Sequence, residues 1–270
     1  MAVLLGIAQL ARSTFFYHLK AQALPDKYDA IKQQIKDIYH RHKGCYGYRR
    51  ITATLRQNGT MVNHKAVQRL MRQLKLKSCV RVKKYRSYKG AIGKVADNLL
   101  QRQFQAKHPN EKWVTDVTEF NVKGDKLYLS PILDLYNSEI ISYHIARRPE
   151  FNMVKEMLVE ALNKLKPQEK PLLHSDQGWQ YQMQPFQKLL KQRQIKQSMS
   201  RKGNCLDNAV MENFFGILKS ECFYTRKFES VEQLKQSLHK YIHYYNHDRI
   251  KIKLKGLSPV QYRIQSLQTV

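Results

Sequence analysis

Residues 112–120, Lys112-Trp113-Val114-Thr115-Asp116-Val117-Thr118-Glu119-Phe120, set an acid in the middle of apolar and β-branched side chains. Such a run reads as a buried strand. Two more runs of this kind follow at 126–136 and 139–147, set off by Gly124-Asp125 and Asn137-Ser138, so the three form a meander. Beyond them the apolar period changes from two to 3.6. The stripe Met153, Met157, Leu158, Ala161, Leu162 and Leu165 predicts a helix over 152–165. A short buried strand at 171–174, a helix near 184–192, a strand at 194–199 and a helix from 208 to about 222, capped by Asp207, complete the order β-β-β-α-β-α-β-α. This pattern predicts an α/β domain with a mixed five-stranded sheet and helices on both faces. One more helix is expected at 230–247, opened by the capping box Ser230-x-x-Gln233, with Val231, Leu234, Leu238, Tyr241, Ile242 and Tyr245 turned inward.

The 270 residues carry 48 Lys+Arg against 21 Asp+Glu, and the excess is uneven: residues 1–108 hold 23 against 4. A front half with so few acids suits a polyanion, whose phosphates release counterions as Lys and Arg replace them. Helical spacing predicts a helix at 10–20 capped by Ser13, with nothing upstream for it to pack on, and another at 26–42 after Pro25-Asp26. Helices at 48–57 and 64–76 follow, divided by Asn58-Gly59, with Asn63 as an N-cap. In the last of these Val67, Leu70, Met71 and Leu74 face inward. His64, Lys65, Gln68, Arg69, Arg72 and Gln73 are left outward as a groove-reading surface of helix-turn-helix type. The basic stretch 75–94, with Lys83, Lys84 and Arg86 interleaved with Tyr85 and Tyr88, reads as a connector that tracks a phosphate backbone.

Composition excludes several classes. A hydrophobic fraction of 42% argues against wholesale disorder. No apolar run reaches the roughly 18 residues of a membrane span, and no secretory leader opens the chain, so the expectation is a cytoplasmic protein without a membrane partner. Cys45, Cys79, Cys205 and Cys222 are widely spaced with no Cys-x-x-Cys pair, against a disulfide scaffold. The cluster His40-x-His42-x-x-Cys45 lacks a fourth ligand and is set aside as a zinc site.

Three carboxylates stand out. Asp116 sits within a strand, Asp176 just past one in His174-Ser175-Asp176-Gln177-Gly178, and Glu212 one turn into a helix, with 35 residues between it and Asp176. Each alone could be a cap or a surface charge. Brought together they would repel at neutral pH, and divalent cations with oxygen ligands, Mg²⁺ or Mn²⁺, are the economical remedy. Two such ions suit in-line phosphoryl transfer.

These residues resemble the DDE transposases of bacterial insertion sequences, specifically the second-frame product (OrfB) of the "IS-three" family, whose core is shared with retroviral integrases. Trp113 to Thr118 is similar to that family's first-acid strand, His174 to Gly178 to its second-acid motif, and Asp207-Asn208-Ala209 with Glu212-Asn213-Phe214-Phe215 to its third-acid helix. Lys219, seven residues after Glu212 and hence on the same helix face, completes the motif. Tyr46-Gly47-Tyr48-Arg49-Arg50-Ile51 resembles the helical DNA-binding module, and Tyr244 to Arg249 with Leu257 to Tyr262 the closing signature.

The resemblance implies a ribonuclease H-like core preceded by a small all-α helix-turn-helix-like DNA-binding domain. The expected boundaries are a partial helix-turn-helix remnant at 1–25, the DNA-binding domain with its connector at 26–95, the catalytic core at 109–225 and a helical tail at 226–270. Catalysis would fall to Asp116, Asp176, Glu212 and Lys219, the three acids holding two divalent cations, Mg²⁺ or Mn²⁺. DNA binding would fall to Arg49, Arg50, Lys65, Gln68, Arg69, Arg72, Lys83, Lys84, Arg86 and Arg249. Double-stranded DNA, as terminal inverted repeats and as target, is the implied substrate, with a homo-oligomer, an upstream first-frame product or its fusion, and the bacterial nucleoid as setting. Two alternatives use the same residues: a DNA-binding regulator without turnover, and a nuclease of the same fold. Among other candidates, His239, His243 and His247 read as polar groups of the tail helix. Asp134 reads as a strand-end polar group, and Glu119 as lying on the face opposite Asp116.

Overall fold

The computed structural model describes residues 2–23, 25–79, 96–201 and 205–268, which fall into two compact units, Met1–Ser78 and Cys79–Val270. The first unit is helical: α1 (Ala2–Ile7), α2 (Arg12–Ala23), α3 (Asp29–Arg41), α4 (Tyr48–Gln57) and α5 (His64–Gln73). Helix α2 begins before Ser13, so that serine caps nothing. The segment expected to lack an upstream partner packs on α1. Asp26 accepts the Tyr28 N–H at 2.9 Å in the turn before α3, and Asn63 caps α5 by accepting the Lys65 N–H at 2.8 Å. Ile35 and Ile38 of α3, Ile51 and Leu55 of α4, and Val67, Leu70 and Met71 of α5 are buried. Helix α5 is amphipathic as its spacing requires.

The second unit is built on one mixed sheet: β1 (Lys112–Thr115), β2 (Thr118–Val122), β3 (Asp125–Asp134), β4 (Ile140–Ala146), β5 (Leu172–Ser175) and β6 (Gln197–Met199). β1 and β2 lie along the same edge of β3, antiparallel to it, while β4 takes its other edge. β5 runs parallel to β1, and β6 parallel to β5. The rows thus read β4, β3, β1 with β2, β5, β6: five rows made of six segments, with the ribonuclease H-like order. α6 (Phe151–Asn163), α7 (Trp179–Gln182) and α8 (Gln184–Gln192) cover one face, where Trp113, Ile132, Met157 and Phe186 are buried together. α9 (Ala209–Leu218) and α10 (Val231–His247) cover the other, with Val114, Leu133, Phe214 and Leu238. The alternation Trp113/Val114 and Ile132/Leu133 divides one strand's side chains between two cores. Helix α11 (Pro259–Gln268), which the apolar periodicity does not predict, is opened by Ser258 and Gln261. These two bond reciprocally through side chain and backbone N–H, with Pro259 at the first helical position.

The first strand is broken at Asp116-Val117, contrary to its expected continuity. Its register is unchanged across the break, since Thr115 faces Ile132 and Thr118 faces Leu129. The residue opposite Asp116 is therefore Pro131. Odd-numbered residues along β3 turn their N–H toward this edge, as does Leu135 just past its end in donating to the Lys112 carbonyl at 2.9 Å, and proline has no N–H to turn. The Pro131 carbonyl accepts instead from Thr115 Oγ1 at 2.9 Å.

Candidate active site

Asp116 and Asp176 are each the first residue beyond a strand, β1 and β5, and these strands are adjacent and parallel. Val114 pairs with His174, so the two aspartates leave the sheet at the same level. The carboxyl end of neighbouring parallel strands is where an open α/β sheet leaves a crevice. Each carboxylate is steadied by local backbone: Asp116 Oδ1 accepts the Val117 N–H at 2.7 Å, and Asp176 Oδ1 accepts the Gly178 N–H at 2.9 Å. Gly178 has no room for a side chain, because a Cβ there would stand 2.9 Å from Asp176 Oδ1.

Strand alternation sends Thr115 toward α7 and Asp116 toward α9. Glu212 lies on an exposed part of α9, in its first turn. Lys219 follows where that helix widens into a π turn, Lys219–Phe223, with the Tyr224 N–H reaching the Lys219 carbonyl at 2.8 Å. The sequence predicts a continuous α-helix to residue 222. The wider turn carries Glu221 and Cys222 into the interior, while the Lys219 ammonium sits 5.2 Å from the Phe120 ring centre.

Burial holds the Asp116 carboxyl well above the usual carboxylate range, with Asp176 adding to the rise and Glu212 less so. The Val117 N–H and the Lys219 charge oppose it. The Asp176 carboxyl is likewise raised by burial and partly relieved by the Gly178 N–H. Asp176 therefore weighs on Asp116 more than Glu212 does. Among the described residues no three His, Cys, Asp or Glu side chains are gathered tightly enough to chelate an ion. The chemistry of the donor set nevertheless fits a hard divalent cation, since it offers only carboxylate oxygens, two of them at a raised pKa. Asn208, at the head of α9, directs Nδ2 to the Thr115 carbonyl at 3.5 Å, and among the described residues its buried Oδ1 has no partner.

A buried strut links the second acid's strand to the third acid's helix. The Leu99 and Leu100 N–H groups donate to Ser198 Oγ at 2.9 and 3.2 Å, so the serine proton is directed at His174 Nδ1, 2.8 Å away. His174 Nε2–H is then left to donate to the Asp207 carbonyl at 3.0 Å. Burial pushes the His174 pKa down, which suits this neutral ring. Asp207 does not cap α9 as expected: its carboxylate, 0% exposed, accepts from Arg201 Nε at 3.0 Å, Arg102 Nε at 2.9 Å and Asn98 Nδ2 at 2.9 Å. Those partners hold its pKa far below the usual range.

Sequence reasoning misses Tyr181, which forms the floor of this region. It is 1% exposed, its hydroxyl stands 3.5 Å from Thr115 Oγ1, and burial with the fields of Asp176 and Asp116 raises its pKa. Only its position five residues after Asp176 could have signalled it.

The remaining expected residues separate. On α5, Lys65, Gln68, Arg69 and Arg72 are exposed; Arg49 of α4 is exposed and Arg50 half-buried, its guanidinium 4.8 Å from the Tyr46 ring centre. Lys83, Lys84 and Arg86 lie outside the described residues. Arg249 is a correction to the sequence reading. It is 5% exposed and forks onto the Glu221 carboxylate at 2.8 and 2.7 Å, beside the Tyr241 hydroxyl, so its guanidinium is spent inside the fold and does not reach a phosphate. His239 Nδ1 meets the Tyr143 hydroxyl at 2.8 Å, Glu119 bonds Lys126 and Tyr128 on the sheet's other side, and Asp134 is buried beneath Arg263.

Comparison with known proteins places this architecture. Residues 106–205 and 212–267 match integrase core domain families, and residues 27–85 match an HTH-like domain family. The chain is 59% identical over 263 residues to InsK of insertion sequence element IS150 from Escherichia coli (strain K12), covering 97% of this chain and 93% of that protein. It is 34% identical over 232 residues to the transposase InsF for insertion sequence IS3A of the same organism, covering 85% and 80%. Among solved structures, the HTLV-2 integrase catalytic core domain in complex with magnesium is similar at 21% identity and a TM-score of 0.45, covering 58% of this chain and 98% of that one. With an HTH-like family and two integrase core families matched along the chain and relatives aligned over most of their length, the chain belongs to the IS-three family of DDE transposases of bacterial insertion sequences.

Proposed function

We propose that Asp116, Asp176 and Glu212 are the metal ligands, and Lys219 the phosphate-binding cation, of a centre that cleaves DNA at insertion-sequence ends and transfers the strand. The observation that carries this reading is the pairing of Asp116 with Asp176 at the ends of two adjacent parallel strands, both carboxyls raised. The enzyme is a DDE transposase of polynucleotidyl-transferase type, and DNA is its partner. The chemistry supplied by bound Mg²⁺ or Mn²⁺, two ions on this reading, is polarisation of the phosphodiester and activation of the attacking oxygen.

The chain's own residues hold the geometry. Asp116 and Asp176 leave neighbouring parallel strands at the same level, Glu212 stands in the first turn of α9, and Lys219 would lend positive charge to the phosphate as negative charge builds on it. In cleavage a water oxygen attacks phosphorus and the bond to the 3′ oxygen breaks, leaving a 3′-hydroxyl. In joining, that hydroxyl oxygen attacks a second phosphodiester and displaces its 3′ oxygen, so one ester forms as another breaks. The exposed face of α5 is assigned to the major groove of the terminal inverted repeats, with Arg49 and Arg50, and with Lys83, Lys84 and Arg86 following the backbone. Joining two ends calls for at least two copies held together, aided by the first-frame product or its fusion, in the nucleoid of the bacterial cytoplasm.

A strand-transfer assay with a pre-cleaved element end tests the assignment. A regulator binds without turnover, a nuclease cuts without joining, and the transposase reading requires joined product that depends on Mg²⁺ or Mn²⁺. The binding surface has its own measure. A Lys65→Gln/Arg69→Gln/Arg72→Gln chain should flatten the slope of log affinity against log salt by about 0.9 for each phosphate it no longer neutralises. An unchanged slope would move the DNA-binding face away from α5.

A further inference from the structure

Trp179 is 55% exposed, although tryptophan is usually among the more buried residues. The backbone that carries it is held on both sides. Gln177 Nε2 donates to the Ser200 carbonyl at 2.9 Å, Gln182 Nε2 to the Gln177 carbonyl at 2.6 Å, Gln180 Nε2 to the Pro149 carbonyl at 3.2 Å, and Gln197 Nε2 to the Tyr181 carbonyl at 2.7 Å. Tyr181, two residues on, is buried edge-on against Phe186 at 5.5 Å between ring centres. The preceding residue, Gly178, gives its N–H to the Asp176 carboxylate. A fixed backbone one turn of chain from Asp176 thus presents an indole to solvent. Among the described residues it belongs to neither buried core.

We propose that Trp179 is a stacking platform for a nucleobase of the DNA strand held at Asp116 and Asp176, a base freed from its own stack beside the reacting phosphodiester. The inference rests on the reading of those two aspartates as the reaction centre. A flat, apolar ring in a strongly basic chain suits a base better than a protein side chain, because every base offers a π face and the phosphates bring it to the lysines and arginines. An end strand and a target strand both carry such a base, and the test separates them.

The full chain is compared with Trp179→Ala and Trp179→Phe on the inverted repeats of its own element and on target duplex. Stacking predicts that Trp179→Ala lowers joining roughly five- to 100-fold, with Trp179→Phe recovering most of it. The chain has 2 Trp, and Trp113 is buried, so DNA added without metal should quench the exposed emission of the parent chain and not that of Trp179→Phe. Abasic nucleotides placed along the end strand and along the target strand then locate the base. At one position the abasic lesion and Trp179→Ala should be non-additive, and the strand that carries it is the source. Full joining by Trp179→Ala, an unquenched parent chain, or additivity at every position would each overturn the proposal. An Asp116→Asn chain run alongside keeps the two readings apart: its retained activity would count against the reaction centre, whereas its inactivity beside an unaffected Trp179→Ala counts only against the platform.

Discussion

An Asp116→Asn, Asp176→Asn or Glu212→Gln chain is expected to lose Mg²⁺-dependent cleavage and joining by about 10³-fold or more, the scale set when several kcal/mol of metal stabilisation of the transition state disappear. DNA affinity should stay nearly intact, because the exposed basic residues of α4 and α5 are untouched. The same substitutions should move stability the other way. Burial and the neighbouring acid hold Asp116 and Asp176 above the usual carboxylate range, so between that range and their raised values the folded chain keeps protons that the unfolded chain has released. Stability from these groups is therefore present at low pH and lost as pH rises through that window. In chelator at a pH of about 7.5, above the unfolded carboxylate range, Asp116→Asn should melt above the parent chain, and added Mg²⁺ should raise the parent's midpoint more than the variant's. Calorimetry with and without chelator reads both effects. Activity retained in two of the three variants would defeat the ligand assignment.

The second large effect concerns Arg249. Its guanidinium and the Glu221 carboxylate are both almost wholly enclosed, and Tyr241 supplies a further bond to the same acid. Removing one member strands a buried charge, which typically costs about 3–5 kcal/mol. Arg249→Ala should lower the denaturation midpoint accordingly and leave the salt slope of DNA binding unchanged. A Glu221→Leu/Arg249→Met chain, which removes both charges and keeps apolar volume, should regain much of the stability. A flattened salt slope with unchanged stability would return Arg249 to the DNA surface.

Much of the fold was legible because local chemistry and tertiary structure agree. The run from Met153 to Leu162 can bury its stripe only as a helix against the sheet, and Asn63 and Ser230 cap where their side chains can reach a free N–H. Helix α11 is written just as plainly in Ser258-Pro259-Val260-Gln261, a capping box that marks a helix start without any apolar period. The two aspartates were legible as acids at strand positions, since a carboxylate among β-branched neighbours is costly without a purpose.

Sequence alone determined most of the strand and helix order of the core and the outward basic face of α5, because each depends on residue type and on spacing along one element. Only the tertiary structure decided what happens between elements. The break at Asp116 comes from Pro131, fifteen residues away, which brings no N–H to the ladder. Asp207 is drawn from its capping role by Arg201, Arg102 and Asn98, and Arg249 is drawn inward by Glu221 once the π turn has swung that acid into the core. A charged side chain has no preferred address in a sequence: whether it meets solvent, phosphate or a buried counter-charge is settled by which partners the folded chain brings within hydrogen-bond reach.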